Sequence, residues 1–193
     1  MKARFVVNPA LNAVDGVANV RTQMLLLCTV AGTELGPTAR TLDVSLKGLI
    51  SRKLGKQGYD GQVGQMLSIA APKKATVERI NIAGLGEMSN SLPRNLCKAI
   101  NLTVKDALDR ELHQLTIPVA TNNMSQIKLK GQAKIIREVV ETVLASEDYR
   151  DLEGTFEVEL LCTKQAARHL EEGLAIAPDL DSVCCLDDDS DKD

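Results

Sequence analysis

The residue types that most often do chemistry are present in this chain, but they form no catalytic or metal-binding pattern. The two histidines, His113 and His169, are far apart, and neither His-Glu-x-x-His nor Cys-x-x-Cys occurs. We expect His113 at the end of a long helix, where a cation suits the helix dipole, and His169 on a solvated helix face. The sequence therefore predicts no catalytic residue, no metal and no cofactor.

The five cysteines give no functional pattern either. Cys28, Cys97 and Cys162 lie within apolar runs, where a free cysteine is usually buried and inert. Cys184 and Cys185 are adjacent to each other near three aspartates and could bind a soft metal ion, but a tail without a scaffold holds ligands poorly. An odd count without framework spacing does not indicate a disulfide scaffold, which fits the cytoplasm, the compartment expected of a chain without a recognisable export signal.

Paired carboxylates are the third kind of candidate. Glu157 and Glu159 alternate along a predicted strand and should share one face, which is normally the solvated face. The pairs at 138 and 141 and at 171 and 172 are predicted to be surface charges of helices. None of these pairs indicates acid–base catalysis.

A glycine-rich turn is the best local signal for a ligand. Gly84, Leu85 and Gly86 lie between a predicted buried strand and a predicted helix, and Ser89 and Asn90 follow. Such a turn can expose backbone N–H groups to an anion, at the sheet edge where open α/β folds usually bind ligands. In the alternative interpretation the glycines only permit a tight turn and close packing. A third glycine and a P-loop lysine are absent.

The elements that would position this turn alternate between strands and helices. Apolar runs predict strands at 5–7, 24–30, 66–70, 76–83, 115–120 and 156–161. Helical periodicity predicts four helices: one capped by Asp43 or Ser45, and three that begin after Ser91, Ser125 and Thr163. Residues 31–40 and the glycine-rich 55–64 are predicted loops. The fold class is therefore α/β, with helices on both faces of a mixed, mostly parallel sheet.

Composition and charge limit the possible partners. Aromatic residues make up 2% of the chain, which counts against the stacking platforms that bind single-stranded nucleic acid. The net charge is −3, and residues 178–193 hold seven Asp and one Lys, so about +3 remains for the body. No apolar run is long enough for a membrane span, and no signal peptide is recognisable. We expect one domain at 1–177 and an acidic, disordered tail at 178–193.

Several segments together resemble the N-terminal domain of the leucyl (cytosol) aminopeptidase family. Residues 46–67 are similar to that family's leucine-rich helix and its aromatic-x-Gly-x-x-Gly segment, here Tyr59, Gly61 and Gly64. Residues 77–87 resemble the next strand and its Gly-Leu-Gly turn. Residues 135–152 resemble the end of the domain, and residues 172–175 resemble the linker helix.

The resemblance implies a three-layer α/β/α sandwich similar to macro domains, and a domain that helps to build an oligomer. The family's two-metal catalytic centre belongs to its C-terminal domain, and its Asn-Thr-Asp-Ala-Glu-Gly-Arg-Leu signature does not occur in this chain. Macro domains bind ADP-ribose through glycine-rich loops after strands, and here the turn at 84–90 resembles such a loop. The resemblance carries no catalytic or metal-binding residue onto this chain.

Three hypotheses follow from the sequence. The leading one is a non-catalytic module that works through protein contacts, by self-association or by regulating a partner. The second is a macro-like binder of a nucleotide or ADP-ribose at the 84–90 turn. In the third, the chain is a piece of a metal-dependent aminopeptidase whose active site lies elsewhere; an acidic tail is not the ending that truncation of such an enzyme would be expected to leave.

Overall fold

A six-stranded mixed sheet forms the centre of the molecule. The computed structural model describes residues 1–11, 17–87, 92–119 and 127–178. The strands are β1 (Lys2–Asn8), β2 (Thr22–Thr29), β3 (Met66–Ala70), β4 (Val77–Gly84), β5 (Gln114–Pro118) and β6 (Thr155–Leu161). The helices are α1 (Pro37–Ser45), α2 (Leu49–Gln57), α3 (Leu92–Leu108), α4 (Leu129–Ala145) and α5 (Lys164–Leu174).

The strand order across the sheet is β1-β6-β5-β2-β4-β3. All neighbouring strands pair in parallel except β3, which runs antiparallel to β4 with Leu67 opposite Ile82. The carboxyl ends of the five parallel strands therefore meet at one edge of the sheet. The predicted fold class, a mixed and mostly parallel α/β sheet, is confirmed.

Two separate cores fill the spaces on the two sides of the sheet. Met24 and Leu26 of β2 face α3, α4 and α5, in a core that also contains Phe156, Val158 and Leu160 of β6. The alternate residues Leu25 and Leu27 face α1 and α2. Because successive strand side chains point to opposite faces, an apolar run through β2 serves both cores. The result is a three-layer sandwich, α3–α5 on one side and α1–α2 on the other.

The largest departure from the sequence prediction lies between β2 and β3. Residues 37–40, predicted as loop, begin α1, because Pro37 has the fixed φ that suits the first position of a helix. The single predicted helix that follows is in fact the end of α1 and the first part of α2, and α2 continues to Gln57, into the predicted loop at 55–64. Lys47 and Gly48, both at positive φ, separate the two helices.

Asp43 does cap a helix, but from inside the preceding one. Its side chain accepts hydrogen bonds from the backbone N–H groups of Ile50 (2.7 Å) and Ser51 (3.2 Å) at the start of α2, and from the Ser51 hydroxyl. Asp43 is buried, so this bond also fixes α1 against α2. A carboxylate at a helix N-terminus interacts favourably with the helix dipole.

Candidate functional site

The predicted ligand turn lies at the carboxyl edge of the sheet, directly after β4. Gly84 ends that strand, and Leu85 and Gly86 cross toward the end of β2. Ser89, Asn90 and the predicted cap Ser91 lie outside the described residues, as does Ser125. The geometry can therefore be given for the first half of the turn, Gly84 to Glu87.

All three backbone N–H groups at the start of this turn already donate hydrogen bonds to other residues of the chain. Gly84 donates to Gln65 (2.9 Å), Leu85 to Thr29 (2.8 Å) and Gly86 to Gly61 (2.9 Å), in each case to the backbone carbonyl. The prediction that this turn exposes free N–H groups to an anion is therefore wrong for Gly84, Leu85 and Gly86. A ligand role for the wider turn with Ser89 and Asn90 stays a prediction.

Close packing explains why glycine stands at these positions. A Cβ atom on Gly84 would lie 2.1 Å from the Gln62 carbonyl oxygen and 2.5 Å from the Gly61 carbonyl carbon. Gly86 adopts a φ of +69°, and a Cβ there would meet Val63 at 2.5 Å. Both conditions exclude larger side chains without local rearrangement. The two glycine motifs of the sequence, the one at 59–64 and the one at 84–86, thus pack directly on each other.

Tyr59 completes this packed edge. Its hydroxyl lies 2.7 Å from the Thr29 Oγ1 atom at the end of β2. Burial raises the pKa of Tyr59 to about 12, a shift that the Thr29 hydrogen bond partly opposes. Burial likewise raises the pKa of the neighbouring Cys28 thiol to about 12. Both groups are therefore neutral near pH 7 and suited to structure rather than to proton transfer or nucleophilic attack.

The other cysteine candidates behave as packing residues. Cys162, directly after β6, is buried, and burial followed by the charge of Glu171 raises the pKa of its thiol. Cys97 is partly buried on α3 and packs against the core of that layer. For Cys162 these surroundings are the opposite of the electropositive, accessible ones that activate a thiol. Cys184 and Cys185 lie outside the described residues.

The paired carboxylates of β6 are not on a freely solvated face, contrary to the prediction. Glu157 lies 3.3 Å from the Arg4 guanidinium and accepts a hydrogen bond from Gln114. Glu159 accepts hydrogen bonds from Asn8 (2.7 Å) and from Thr116 (2.8 Å). Because β6 lies between β1 and β5, each carboxylate bridges neighbouring strands. Their partners suit a role in holding the sheet together.

The two histidines lie on the surface, as predicted for His169. Helix α3 ends at Leu108, so His113 is not in its last turn as expected but in the link to β5, where its backbone N–H donates to the Gln23 side chain. His169 is exposed on α5. Across the described ranges, no three His, Cys, Asp or Glu side chains come together in a way that could hold a metal ion.

Two polar side chains that the sequence did not single out support the glycine-rich edge and the sheet below it. Asn95 of α3 is buried and donates a hydrogen bond to the Leu85 carbonyl oxygen at 2.8 Å. Farther along α3, Asp106 accepts hydrogen bonds from Asn81 of β4 (2.9 Å) and Ser68 of β3 (3.0 Å). Helical spacing alone gave no signal for either, because both depend on where α3 crosses the sheet.

Among the large apolar side chains of the described residues, the one with the highest exposed fraction belongs to α1. Val44 is 74% exposed, against 41% for Val63 and 38% for Leu152. It lines an open groove of about 430 Å³ together with Pro37, Arg40 and Thr41. These four residues are spaced along one side of α1, opposite the buried Ala39 and Leu42. This surface, the α1 groove, was not predicted from the sequence.

None of the helices in the described ranges combines the length and the hydrophobicity that crossing a bilayer requires.

Comparison with known proteins places the fold in a family. Residues 25–152 match the model of the cytosol aminopeptidase family, N-terminal domain. A probable cytosol aminopeptidase of Cupriavidus pinatubonensis is 25% identical over 91 residues, which cover 47% of this chain and 18% of that protein.

Solved structures agree at the level of the fold. A tomato leucine aminopeptidase, the K354E mutant, superimposes with a TM-score of 0.66 at 15% identity and covers 90% of this chain. A Trypanosoma brucei macrodomain in complex with ADP gives a TM-score of 0.63 at 12% identity, over 89% of this chain and 68% of that one. Other macrodomains reach TM-scores of up to 0.69.

The chain is much shorter than the aminopeptidases that it matches, since it spans 18% of the Cupriavidus protein and 36% of the tomato chain. The family model that matches this chain is the model of the N-terminal domain. The matched residues include most of the strands of the sheet. By this match and by its three-layer, macrodomain-like fold, the chain belongs to the cytosol aminopeptidase family, as an N-terminal domain of that family.

Proposed function

We propose that this chain is a non-catalytic module that acts through protein–protein contacts, in the first place contacts between copies of itself. The observation that carries the proposal is the α1 groove, where Val44 presents most of its side chain to water. Burying an exposed valine stabilises a complex by about 1.5–3 kcal/mol before ordering costs are subtracted. Arg40 beside it is of a residue type enriched at interfaces.

The chemistry of the candidate residues supports a module without catalysis. The buried thiol of Cys28 and the Tyr59 hydroxyl have pKa values raised to about 12, and the glutamates of β6 are engaged in contacts between strands. The matched region is the N-terminal domain of the family. A leucyl chromogenic substrate with added manganese or zinc should therefore not be hydrolysed. Turnover that a chelator abolishes would contradict the proposal.

The limits of the module are part of the same proposal. We place its end at residue 177, because Ile176 is the last residue whose backbone carbonyl is held by Arg137 of α4. The acidic segment 178–193 follows the module. We also propose that the module works in the cytoplasm. A chain that forms part of a longer, metal-dependent aminopeptidase would keep the same domain with activity elsewhere.

The test of the α1 groove is a substitution that makes it polar. Val44→Asp adds a charge to an exposed position and should leave the fold intact, while self-association weakens by about tenfold or more. Leu152→Asp is the matched control, because Leu152 is also an exposed apolar residue but lies between α4 and β6. The readout is the weight-average mass by sedimentation at several protein concentrations. Equal association of both variants and the wild type would rule out the groove as the contact surface.

A second candidate function is binding of a nucleotide or ADP-ribose at the 84–90 turn. The observation in its favour is the similar fold of a macrodomain that is in complex with ADP. The backbone N–H groups of Gly84, Leu85 and Gly86 are already bonded, so a ligand would depend on other groups such as the side chains of Ser89 and Asn90. Calorimetric titration with ADP-ribose, ATP and AMP decides it. Saturable heat that Asn90→Ala removes would favour this function over the first.

A further inference from the structure

A strip of positive charge continues from the α1 groove along α2. Between residues 44 and 59 the chain contains four cations and no carboxylate. Lys47 is exposed in the link that follows Val44, and Arg52, Lys53 and Lys56 are exposed on α2. The Arg52 guanidinium donates to the Lys47 backbone carbonyl, which holds it at the junction of the two helices. We call the α1 groove together with Lys47, Lys53 and Lys56 the α1–α2 face.

The charges of this face are almost unopposed. Arg40 pairs with Glu34 at 2.8 Å, and Asp43 is buried and bonded to the start of α2. The exposed Asp60 follows α2, but within the described residues it forms no salt bridge with Lys47, Lys53 or Lys56. Such a face attracts a segment that combines apolar residues with several negative charges.

The acidic segment 179–193 of this chain has that composition. Leu180, Val183 and Leu186 recur at intervals of three residues, with aspartates before and after them. From residue 178 onward the formal charge is −6, from seven Asp and one Lys. The apolar residues match the exposed Val44 and Pro37, and the aspartates match Lys47, Lys53 and Lys56.

The place where this segment begins favours the face of a neighbouring chain over the face of its own chain. Arg137 of α4 donates hydrogen bonds to the carbonyl oxygens of Leu174 and Ile176, so the chain leaves the fold on the α3–α5 layer. The α1–α2 face lies on the other side of the sheet. A segment of 15 residues extends at most about 50 Å, which reaches an adjacent molecule, whereas its own α1–α2 face can be reached only by passing around the sheet.

We propose that the acidic segment 179–193 of one copy binds the α1–α2 face of a second copy. This rests on the proposed self-association and names its two surfaces. Because the two surfaces are different, the contact is heterologous, and each copy offers one donor segment and one acceptor face. The apolar residues of the segment cover Val44, and its aspartates pair with the lysines of α2 and the α1–α2 link.

The experiment uses two variants of the full chain that each remove one surface. One is K47E/K53E/K56E, which reverses the charge of the α1–α2 face. The other replaces the seven aspartates of 179–193 by asparagine. All the lysines changed are exposed, so both variants should unfold at the wild-type temperature. Each alone should associate about tenfold or more weakly than the wild type. K128E/K130E/K164E, the same charge change on exposed lysines of the opposite layer, should associate normally.

Mixing the two variants gives the decisive result. The reversed-face variant still carries an intact segment, and the asparagine variant still carries an intact face, so an equimolar mixture should form a heterodimer that neither forms alone. Absence of that heterodimer overturns the proposal. If the wild type associates but the asparagine variant associates equally well, this inference fails while the proposed function stands. A wild type that stays monomeric overturns both.

Discussion

Gly84 and Gly61 show why glycine is needed where the two motifs of the sequence meet. The Gly61 carbonyl accepts the N–H of Gly86, and its carbonyl carbon lies 2.5 Å from where a Cβ on Gly84 would be. The glycines thus allow two backbone segments to come into contact at the carboxyl edge of the sheet. That contact uses the N–H groups that an anion would need.

Replacing Gly84 by alanine should therefore destabilise the protein. The new methyl group would overlap the Gln62 carbonyl oxygen, backbone that cannot simply rotate away, at a cost of about 1–3 kcal/mol. Gly55→Ala is the control, because a Cβ there meets no atom within 4 Å and a helical alanine stabilises by about 0.5–1 kcal/mol. Urea unfolding measures both. A Gly84→Ala variant as stable as the wild type would contradict the packing account.

The sequence predicted the position of this turn but not its role. Gly84, Leu85 and Gly86 do follow a buried strand, as the apolar run indicated. The loss of their free N–H groups depends on the approach of residues 61–65, which come from a distant part of the chain. Local patterns report glycine spacing, and only tertiary contacts determine which hydrogen bonds the turn can still make.

At the scale of elements, the strands were predicted well because their signals are local. The predicted strand 66–70 agrees with β3 residue for residue, and the others agree within a few residues. The pair of helices between β2 and β3 was predicted as one, since the break depends on positive φ at Lys47 and Gly48. Periodicity continues across such a break, so the apolar positions of both helices appear as one stripe.

Helix α3 is fixed to the sheet by Asp106 as well as by apolar packing. Burial alone would raise the pKa of this carboxyl, but hydrogen bonds from Asn81, Arg110 and Ser68 and the Arg110 charge lower it overall. A depressed pKa means that the carboxylate stabilises the fold above its unfolded pKa of about 3.9, and this stabilisation is lost as the pH falls through the folded value. This pH-dependent stabilisation comes from the hydrogen bonds that join α3 to β3 and β4.

Asp106→Asn should lower the free energy of unfolding at pH 7 by about 1–3 kcal/mol, the usual range for hydrogen bonds to a charged group. The difference from the wild type should begin to shrink as the pH falls below about 3.9, where the unfolded carboxyl takes up a proton, and should disappear below the depressed pKa of the folded carboxyl. Urea unfolding across this pH range tests it. Asp148→Asn, at an exposed position, serves as the control. A difference that does not vary with pH would exclude the charged carboxylate as its cause.

For the molecule as a whole, the sheet separates two layers with different surfaces. The α3–α5 layer contains α5 and the residues after it that Arg137 binds. The α1–α2 layer carries the exposed Val44 and the exposed lysines of the α1–α2 face. The sequence resemblance predicted the family and the sandwich, both of which are confirmed. The exposed face could not be predicted, because exposure of a single valine is set by how α1 docks.

The mass of the wild-type chain in solution tests the central claim of protein contacts most directly. Sedimentation equilibrium over a wide range of protein concentration should give a weight-average mass that rises above that of one 193-residue chain, and that falls when salt screens the acidic segment from the lysines. A mass that stays at one chain at every concentration, in low salt as in high, would contradict the account.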